Sequence, residues 1–354
     1  MTGMLRAALA LAMIATPALA KEAAISSKPI VIAHRGASGE RPEHTLAAYT
    51  LAIEQGADFI EPDLVVTKDG QLVARHENDI TGTTDVSNRK EFADRKRTKL
   101  IDGTSYTGWF TEDFTLAELK TLRAKERLPL LRRGNTKYDG QFEVPTLREI
   151  IALAKAATAT TGRTIGIYPE TKHPSYFASI GLPMEALLVA ELKAAGWDRA
   201  DAPVFIQSFE VNNLKALKQL TPVKLIQLMA AEGGPADKAH PSYAAMATPE
   251  GLKAIAAYAA GIGPHKDMVV AGDGTVSPLV ADAHGVGLKV HPWTFRAENY
   301  FLPSRLRKGI NPAGHGDMAA EIARFLDAGV DGLFTDYPYA GVEARDRHSR
   351  RPAE

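Results

Sequence analysis

Short apolar, β-branched runs alternate with amphipathic helical patterns along most of this chain, and this alternation limits what it can fold into. Eight runs are predicted to be strands, beginning near residues 30, 59, 164, 204, 223, 261, 288 and 330. Strands that alternate with helices form parallel sheets. A set of eight predicts an α/β fold of the TIM (β/α)8 barrel type rather than an open doubly wound sheet.

The segment from about residue 78 to residue 144 interrupts this alternation. It is rich in charged residues, Gly, Thr and aromatic residues, and it contains one predicted short helix from Leu116 to Ala124. A long irregular stretch inside a compact domain is usually an insertion or a lid. We therefore predict one domain over residues 21–354, with an insertion after the second strand that lies over the site. The run at 71–76 is predicted to extend the second strand as a hairpin.

The first 20 residues have the layout of a secretory signal peptide, with Arg6, an apolar run over residues 7–15 and an A-x-A site that ends at Ala20. The apolar run is shorter than the ~20 residues that a membrane-spanning helix needs. A membrane anchor and a cytosolic tail are the alternatives. The chain has no cysteine, which excludes disulfides, a lipid-anchored cysteine and thiolate metal sites. We expect export, with cleavage near Ala20.

The charge balance argues against polyanionic partners. The chain has 42 basic and 42 acidic residues and therefore no formal net charge at pH 7. Such a chain has no broad field with which to bind nucleic acid or an anionic membrane. No later segment is apolar enough to span a bilayer, and no nucleotide-binding glycine motif follows a predicted strand. We expect a small-molecule substrate, no nucleic-acid partner and no stable membrane insertion.

Polar residues close the predicted strands. The first apolar run, Ile30 to Ala33, ends in His34 and Arg35, and other strands end in comparable residues. In a barrel the carboxyl ends of the strands meet at one mouth, where such enzymes carry their chemistry. The residues predicted to meet there are His34, Arg35, Glu61, Asp63, His76, Glu170, Lys172, Gln207, His291, Trp293 and Asp336.

Three of these residues predict a metal site. Glu61 and Asp63 project from one face of the second strand, because side chains alternate along a strand, and Glu170 closes the third strand. In the absence of cysteine, such carboxylates suit a hard, oxygen-preferring cation such as Ca²⁺ or Mg²⁺.

Two other interpretations of the same residues are open. The acids could form ion pairs with Arg35 and Lys172 and bind no metal. Zinc could instead be held by His34, His76 and His291. The mutual repulsion of uncompensated acids favours a hard cation, which relieves it.

A cation beside imidazoles, an arginine and a lysine suits the cleavage of a phosphate ester. Arg35 would neutralise the phosphoryl oxygens as charge builds, and His34 and His76 would serve as base and acid near neutral pH. His291 is expected to line the pocket rather than to act in catalysis. The glycines around His34 and Arg35 are then attributed to close approach of the loop backbone to a phosphate.

Several motifs around these residues are specific in combination. They are H-R-G-A-S-G-x-x-P-E-H-T at His34–Thr45, E-P-D-L-V-V-T-K-D-G at Glu61–Gly70 with the following His76, I-G-I-Y-P-E-T-K at Ile165–Lys172, Gln207-Ser208-Phe209, His291-Pro292-Trp293-Thr294 and G-L-F-T-D-Y-P at Gly332–Pro338. Together they resemble the glycerophosphodiester phosphodiesterase family, and most of all its exported, periplasmic bacterial branch. The resemblance runs from about residue 29 to residue 340.

The resemblance implies a TIM barrel with an insertion after the second strand. It also implies hydrolysis of deacylated phospholipids to sn-glycerol 3-phosphate and an alcohol, in the periplasm. By position, His34 and His76 would be the general acid and base. Glu61, Asp63 and Glu170 would bind one divalent cation, with Ca²⁺ favoured over Mg²⁺.

The resemblance also assigns substrate contacts. Arg35 would hold the phosphate, and Lys172 looks like a further phosphate contact. Gln207 and Trp293 are expected to bind substrate. Glu43 either supports the site from behind or is an ordinary acid at a helix N-terminus.

Two departures from the family pattern bear on substrate preference. Arg75 stands directly before the second histidine, and no arginine lies near Gly82, where the family commonly has one. A related lipase-type enzyme acting on lysophospholipid or phospholipid is one alternative function, with Trp109-Phe110 and Phe114 as its apolar lip. A non-catalytic periplasmic phosphodiester-binding protein is the other. The sequence does not indicate an oligomeric state.

Overall fold

The computed structural model describes residues 28–351 of the chain. The predicted signal peptide at residues 1–20 lies outside these residues and stays a prediction.

Strands and helices alternate along the described chain, as the sequence predicts. The strands are β1 (Ile30–His34), β2 (Phe59–Glu61), β3 (Asp63–Val66), β4 (Leu72–Ala74), β5 (Arg97–Ile101), β6 (Thr104–Gly108), β7 (Gly166–Ile167), β8 (Glu170–Thr171), β9 (Phe205–Ser208), β10 (Lys224–Met229), β11 (Gly261–Pro264), β12 (Lys289–Val290) and β13 (Gly332–Thr335). The α-helices are α1 (Leu46–Glu54), α2 (Leu116–Leu119), α3 (Leu147–Thr161), α4 (Pro174–Ser179), α5 (Met184–Ala194), α6 (Val211–Leu220), α7 (Tyr243–Met246), α8 (Pro249–Ala256), α9 (Leu279–Gly285), α10 (Met318–Asp327) and α11 (Pro338–His348).

The parallel strands follow one another in chain order around a barrel. β2 and β3 are one strand interrupted at Pro62, and β7 and β8 are another, interrupted at Tyr168 and Pro169. Proline causes such breaks because it has no N–H to donate to a ladder. β13 pairs with β1, β1 with β2, β2 with β7, β3 with β8, and β8 with β9. β10, β11 and β12 continue the order.

Backbone hydrogen bonds close the ring by joining β12 and the residues after it to β13 and the residue before it. The N–H of Asp331 donates to the carbonyl of Val290 at 2.9 Å, and the N–H of Phe334 donates to the carbonyl of Pro292 at 3.1 Å. The eight predicted strands therefore form the TIM barrel that the alternation predicts.

The segment between β4 and α3 contains structure that the sequence did not reveal. β4 pairs antiparallel with β3, as predicted for the run at 71–76. Further along, β5 and β6 form an antiparallel hairpin whose residues are mostly exposed and polar, so no apolar run marks it. The predicted helix Leu116 to Ala124 is shorter than expected: α2 ends at Leu119.

Two apolar layers hold the strands and helices together. One lies between the barrel and its surrounding helices, and the other fills the barrel itself. Inside the barrel Ile32, Tyr168, Ile226 and Phe334 are almost completely buried against one another. This inner cluster is a rigid floor beneath the carboxyl ends of the strands.

Two glycines in the loop after β1 are required by packing. Gly36 has a φ of +85°, and a Cβ there would lie 2.7 Å from the carbonyl carbon of Ala48 on α1. A Cβ at Gly39 would lie 2.4 Å from the ring of Tyr337. The expectation that these glycines make room for a phosphate is therefore wrong, because the groups that approach them belong to the protein itself.

We expect Gly36→Ala to destabilise the fold by about 2–5 kcal/mol, from left-handed backbone strain plus overpacking against α1. Gly70→Ala is a matched control, because Gly70 also has a positive φ, +73°, but a Cβ there would meet no atom within 4 Å. That control should lose only about 1–2 kcal/mol. Urea denaturation measures both free energies of unfolding. Equal losses would show that contact with Ala48 costs nothing.

Candidate active site

Strand register places the predicted site residues side by side. His34 of β1 pairs with Glu61 of β2, and Asp63 of β3 pairs with Glu170 of β8. Glu170 in turn pairs with Gln207 of β9. Neighbouring strands lie ~4.8 Å apart, so residues in register at the carboxyl ends bring their side chains together.

The carboxylates of Glu61, Asp63 and Glu170 form a compact buried set. One oxygen from each lies within 4.8 Å of the others. Oδ1 of Asp63 is buried and accepts no hydrogen bond from any described residue. A buried carboxylate oxygen without a partner is costly, and a hard divalent cation accepts such oxygens as ligands. The three residues therefore fit a cation.

The negative charges on these three acids repel one another. Burial, then Asp63 and Glu170, raise the pKa of Glu61 well above its usual range. Burial also raises the pKa of Glu170 to about 7, although Lys172 opposes this shift. For Asp63, burial raises the pKa, but His44, Lys172 and Arg35 outweigh it and hold the pKa well below its usual range.

Neighbouring groups hold these carboxylates in place. Nε2 of His44 lies 2.9 Å from Oδ2 of Asp63, and the other ring nitrogen lies 2.8 Å from the hydroxyl of Tyr49. The side-chain amide of Gln207 donates to Glu61 at 2.7 Å. Gln207, predicted to bind substrate, thus contacts a carboxylate of the set. The part played by His44 was not predicted, although this residue belongs to the P-E-H-T motif.

His34 is held from behind by Asp336. Its Nδ1 lies 2.5 Å from Oδ1 of Asp336, which Arg132 and Arg296 also contact. A carboxylate acceptor fixes the proton on Nδ1 and leaves Nε2 to accept. Burial, followed by the charge of Arg35, lowers the pKa of His34 to about 4 despite Asp336.

His76 has the same arrangement on the other side of the site. Its Nδ1 contacts the carboxylate of Glu77, and its Nε2 lies 3.2 Å from Nζ of Lys172. Burial, with Arg35 and Lys172 nearby, lowers the pKa of His76 to about 3. Both imidazoles are therefore neutral near pH 7. In each, Nδ1 faces a carboxylate, and Nε2, on the opposite side of the ring, can accept a proton.

Arg35 occupies a left-handed backbone conformation with a φ of 60°. For a residue other than glycine this costs about 1–3 kcal/mol and is typical of functional sites. The conformation lets its backbone N–H donate to Glu61 at 3.0 Å while its guanidinium reaches Glu43 at 3.1 Å. Glu43 therefore contacts the guanidinium of Arg35 directly. This contact favours a role for Glu43 in supporting the site over that of an ordinary acid at a helix N-terminus.

A cavity of about 330 Å³ opens above the carboxylates. Its lining includes the predicted residues His34, Arg35, Glu61, His76, Glu170, Lys172, Gln207 and Trp293, together with Phe209, Leu228, Thr294, Arg296 and Phe334. A second cavity of about 390 Å³ shares His76 and Lys172 with the first and is otherwise lined largely by the segment after β4. The two cavities therefore meet at a histidine and a lysine.

His291 does not join this site. Its Nδ1 lies 2.8 Å from the hydroxyl of Tyr168, and its ring packs against Phe205 within the barrel. The prediction that His291 lines the pocket is wrong, because it lies one layer deeper than Trp293. The zinc interpretation, which needed His291 beside His34 and His76, fails for the same reason.

Arg75, one of the departures from the family pattern, lies outside both cavities. Its side chain is fully buried and donates to the backbone carbonyls of His44 at 3.3 Å and Thr83 at 3.4 Å. The other departure is the lack of an arginine near Gly82, a residue that lines the second cavity together with Arg127. Arg127 was not predicted, because it lies in the irregular segment where no periodicity marks a position.

This fold and site define a hydrolase of phosphate esters. A barrel carries three buried carboxylates beneath one cavity, and two imidazoles and several cationic side chains line that cavity. A family model described as "Glycerophosphoryl diester phosphodiesterase family" matches residues 34–340. The chain belongs to this family and is an enzyme, a phosphoric diester hydrolase.

Two relatives of known family and one solved structure are similar to this chain. A glycerophosphodiester phosphodiesterase of Arabidopsis thaliana is 40% identical over 88% of this chain and 84% of its own length. One of Haemophilus influenzae is 31% identical over 90% of each chain. The structure of an Oleispira antarctica phosphodiesterase in complex with the product sn-glycerol-3-phosphate has a TM-score of 0.60 at 24% identity, covering 90% of this chain and 97% of that one.

Within residues 28–351, no helix combines the length and the apolar character that crossing a membrane requires.

We expect Ca²⁺ to stabilise the protein more at pH 8 than at pH 6. The raised pKa values of Glu61 and Glu170 mean that the folded, cation-free protein holds protons there, and a cation must displace them. Because the pKa values of Glu61 and Glu170 are higher in the folded protein than in the unfolded chain, the cation-free protein loses stability as pH rises from the unfolded to the folded pKa. At 100 times its Kd the cation would add about 2.7 kcal/mol. Thermal unfolding with and without CaCl₂ at each pH measures the difference.

Glu61→Gln should lose the Ca²⁺-induced rise in Tm, since it removes one of the proposed ligands. Glu321→Gln is the matched control, because Glu321 is also a buried acid with a raised pKa but pairs with Lys266 elsewhere. A Ca²⁺ effect that is equal at both pH values, or that survives Glu61→Gln, would contradict the assignment.

Proposed function

We propose that this enzyme hydrolyses glycerophosphodiesters to sn-glycerol 3-phosphate and an alcohol, with His34 and His76 as general acid and base. The observation that carries the proposal is the placement of these two imidazoles. Each has Nδ1 on a carboxylate and Nε2 beside a cationic side chain, Arg35 or Lys172, at the wall of one cavity. The product bound by the Oleispira relative supports the choice of substrate class.

Arg35 and Lys172 would bind the phosphoryl oxygens. Both side chains are buried, both line the cavity, and each contacts the Nε2 atom of a histidine. A diester held by the two cations therefore lies within reach of both imidazoles. Arginine and lysine suit this task because their N–H groups form charge-assisted hydrogen bonds with phosphate.

One imidazole would take the proton from the nucleophile, which is either water or the neighbouring glycerol 2-hydroxyl. The other would protonate the leaving alcohol. Both imidazoles are neutral in the free protein, since the pKa of each is lowered. The negative charge of a bound diester raises the pKa of a nearby imidazole, which lets one of them hold the proton that the leaving alcohol needs.

Glu61, Asp63 and Glu170 would hold one divalent cation, Ca²⁺ ahead of Mg²⁺, since Ca²⁺ accepts irregular sets of carboxylates. When bound, the cation supplies positive charge that stabilises the phosphoryl oxygens as negative charge develops.

The two arms of the diester would occupy the two cavities. The cavities meet at His76 and Lys172, so a phosphoryl group bound there directs one arm towards Trp293 and Phe209 and the other into the second cavity. Trp293 donates its indole N–H to the carbonyl of Gly263 at 2.8 Å, which fixes the ring as a wall for the first arm.

The lipase-type alternative finds no support in the segment that was expected to form an apolar lip. Trp109 is 7% exposed, and Phe110 and Phe114 are completely buried. These side chains form the core of the segment and are not available to a lipid surface. A non-catalytic binding protein is disfavoured, because binding alone does not require an imidazole on each side of the phosphate.

We expect His34→Ala and His76→Ala each to lower kcat on glycerophosphocholine by about 10²- to 10⁴-fold, the usual contribution of a general acid or base. His291→Gln is the matched control, since that histidine lies outside the cavity and glutamine can still bond the hydroxyl of Tyr168. The assay measures choline release by chelator-treated enzyme after Ca²⁺ or Mg²⁺ is restored. Near wild-type turnover by either alanine variant would remove that histidine from the mechanism.

We also propose that the enzyme is exported to the periplasm. The support is the signal-peptide pattern of residues 1–20. Mass spectrometry of the periplasmic fraction should find a mature N-terminus near Lys21. A full-length chain in the cytosolic fraction would contradict export.

A further inference from the structure

Arg127 lies in the segment between β4 and α3, yet its guanidinium is bonded to two carboxylates of the active site. Nε and Nη2 donate to Glu43 at 2.8 and 2.6 Å. Nη1 and Nη2 donate to Glu77 at 3.0 and 2.6 Å. Such two-pronged contacts fix orientation as well as charge.

Each of these carboxylates supports a different functional group. Glu43 accepts a hydrogen bond from the guanidinium of Arg35, the proposed phosphate-binding residue. Glu77 contacts Nδ1 of His76, one member of the proposed acid/base pair. Arg127 therefore joins the phosphate-binding arginine to a catalytic imidazole through one continuous set of hydrogen bonds.

The positive charge of Arg127 compensates the negative charges of these two carboxylates. Glu43 is 5% exposed, and burial opposes its ionisation, but Arg127 and Arg35 hold its pKa well below the usual range. Burial also opposes the ionisation of Glu77, while His76 and then Arg127 hold its pKa well below the usual range. Without Arg127, two carboxylates would repel each other, and each would be free to turn away from its partner.

We propose that Arg127 is a positioning residue, which orients Arg35 through Glu43 and His76 through Glu77 and so makes the inserted segment a working part of the active site. The proposal rests on the proposed function, since it assigns Arg127 a task in that reaction.

The other histidine has a parallel arrangement. Arg132, five positions further along the same segment, contacts Asp336, the carboxylate that holds Nδ1 of His34. It also donates to Glu298 at 2.6 Å. One segment therefore places an arginine behind the carboxylate of each proposed catalytic imidazole.

Arg127→Met tests the proposal. We expect kcat on glycerophosphocholine, measured with Ca²⁺ present, to fall by about 10- to 100-fold, as is usual when a group that orients a site is removed. KM should rise as well, because Arg35 loses its support. A variant that is merely less well folded would show a lower kcat at unchanged KM. Arg127→Lys should keep the Tm but not restore kcat, since a lysine cannot bond both carboxylates in this way.

Arg95→Met is the matched control. Arg95 lies in the same segment and pairs with Glu118 at 2.9 and 2.6 Å, but it lines neither cavity of the site. It should keep wild-type kcat and KM. Glu77→Gln combined with Arg127→Met should lose less than the product of the two single losses, because Arg127 acts on His76 through Glu77.

The outcomes separate the two proposals. If the wild-type enzyme releases no choline, the proposed function fails. If the wild type is active, then wild-type kinetics in Arg127→Met, full rescue by lysine, equal losses in Arg127→Met and Arg95→Met, or losses that multiply with Glu77→Gln would each overturn the positioning role.

Discussion

The register between β1, β2, β3 and β8 is the constraint on which the rest of the site depends. It places Glu61, Asp63 and Glu170 within 4.8 Å of one another in a buried position, where like charges repel strongly. A protein keeps such a set only if other groups compensate it. The surrounding cations meet part of that need, and the oxygen of Asp63 that lacks a hydrogen bond from any described residue shows where compensation is incomplete.

The compensating cations are also the groups that suit a phosphate. Arg35 and Lys172 contact Asp63 and Glu170 on one side and the two imidazoles on the other. In the proposed mechanism, the same side chains thus neutralise the acids and bind the diester. A cation that took over the first task would leave these residues more free for the second, which links cation binding to substrate binding.

Support for the imidazoles comes from outside the barrel strands. Arg127 and Arg132 reach the carboxylates behind His76 and His34 from a segment that contributes no strand to the ring. In the proposed mechanism, the strand ends and the chain after β4 supply the reacting groups, and the segment between β4 and α3 supplies the charged side chains that orient them. This division explains why a polar, irregular segment is packed so closely over the site.

Much of the fold and of the site could be predicted from the sequence, and each failure has its own physical cause. The strands were found because apolar runs mark them, and the strand-end residues followed because parallel strands converge at one mouth. The depth of His291 could not be predicted, because alternation gives the face of a strand and not the layer within a barrel. Arg127 was missed because its partner Glu43 lies 84 residues away and no local pattern marks such a contact. The hairpin of β5 and β6 was missed because its residues are polar and exposed.

The coupling between cation and phosphate is the most direct test of how this site works. Isothermal titration of sn-glycerol 3-phosphate into chelator-treated protein and into Ca²⁺-loaded protein measures it. We predict binding about 5- to 150-fold tighter with Ca²⁺, the range of typical coupling between linked sites. Equal affinity in the two titrations would contradict this prediction, since the carboxylates of Glu61, Asp63 and Glu170 would then have no part in holding a phosphate.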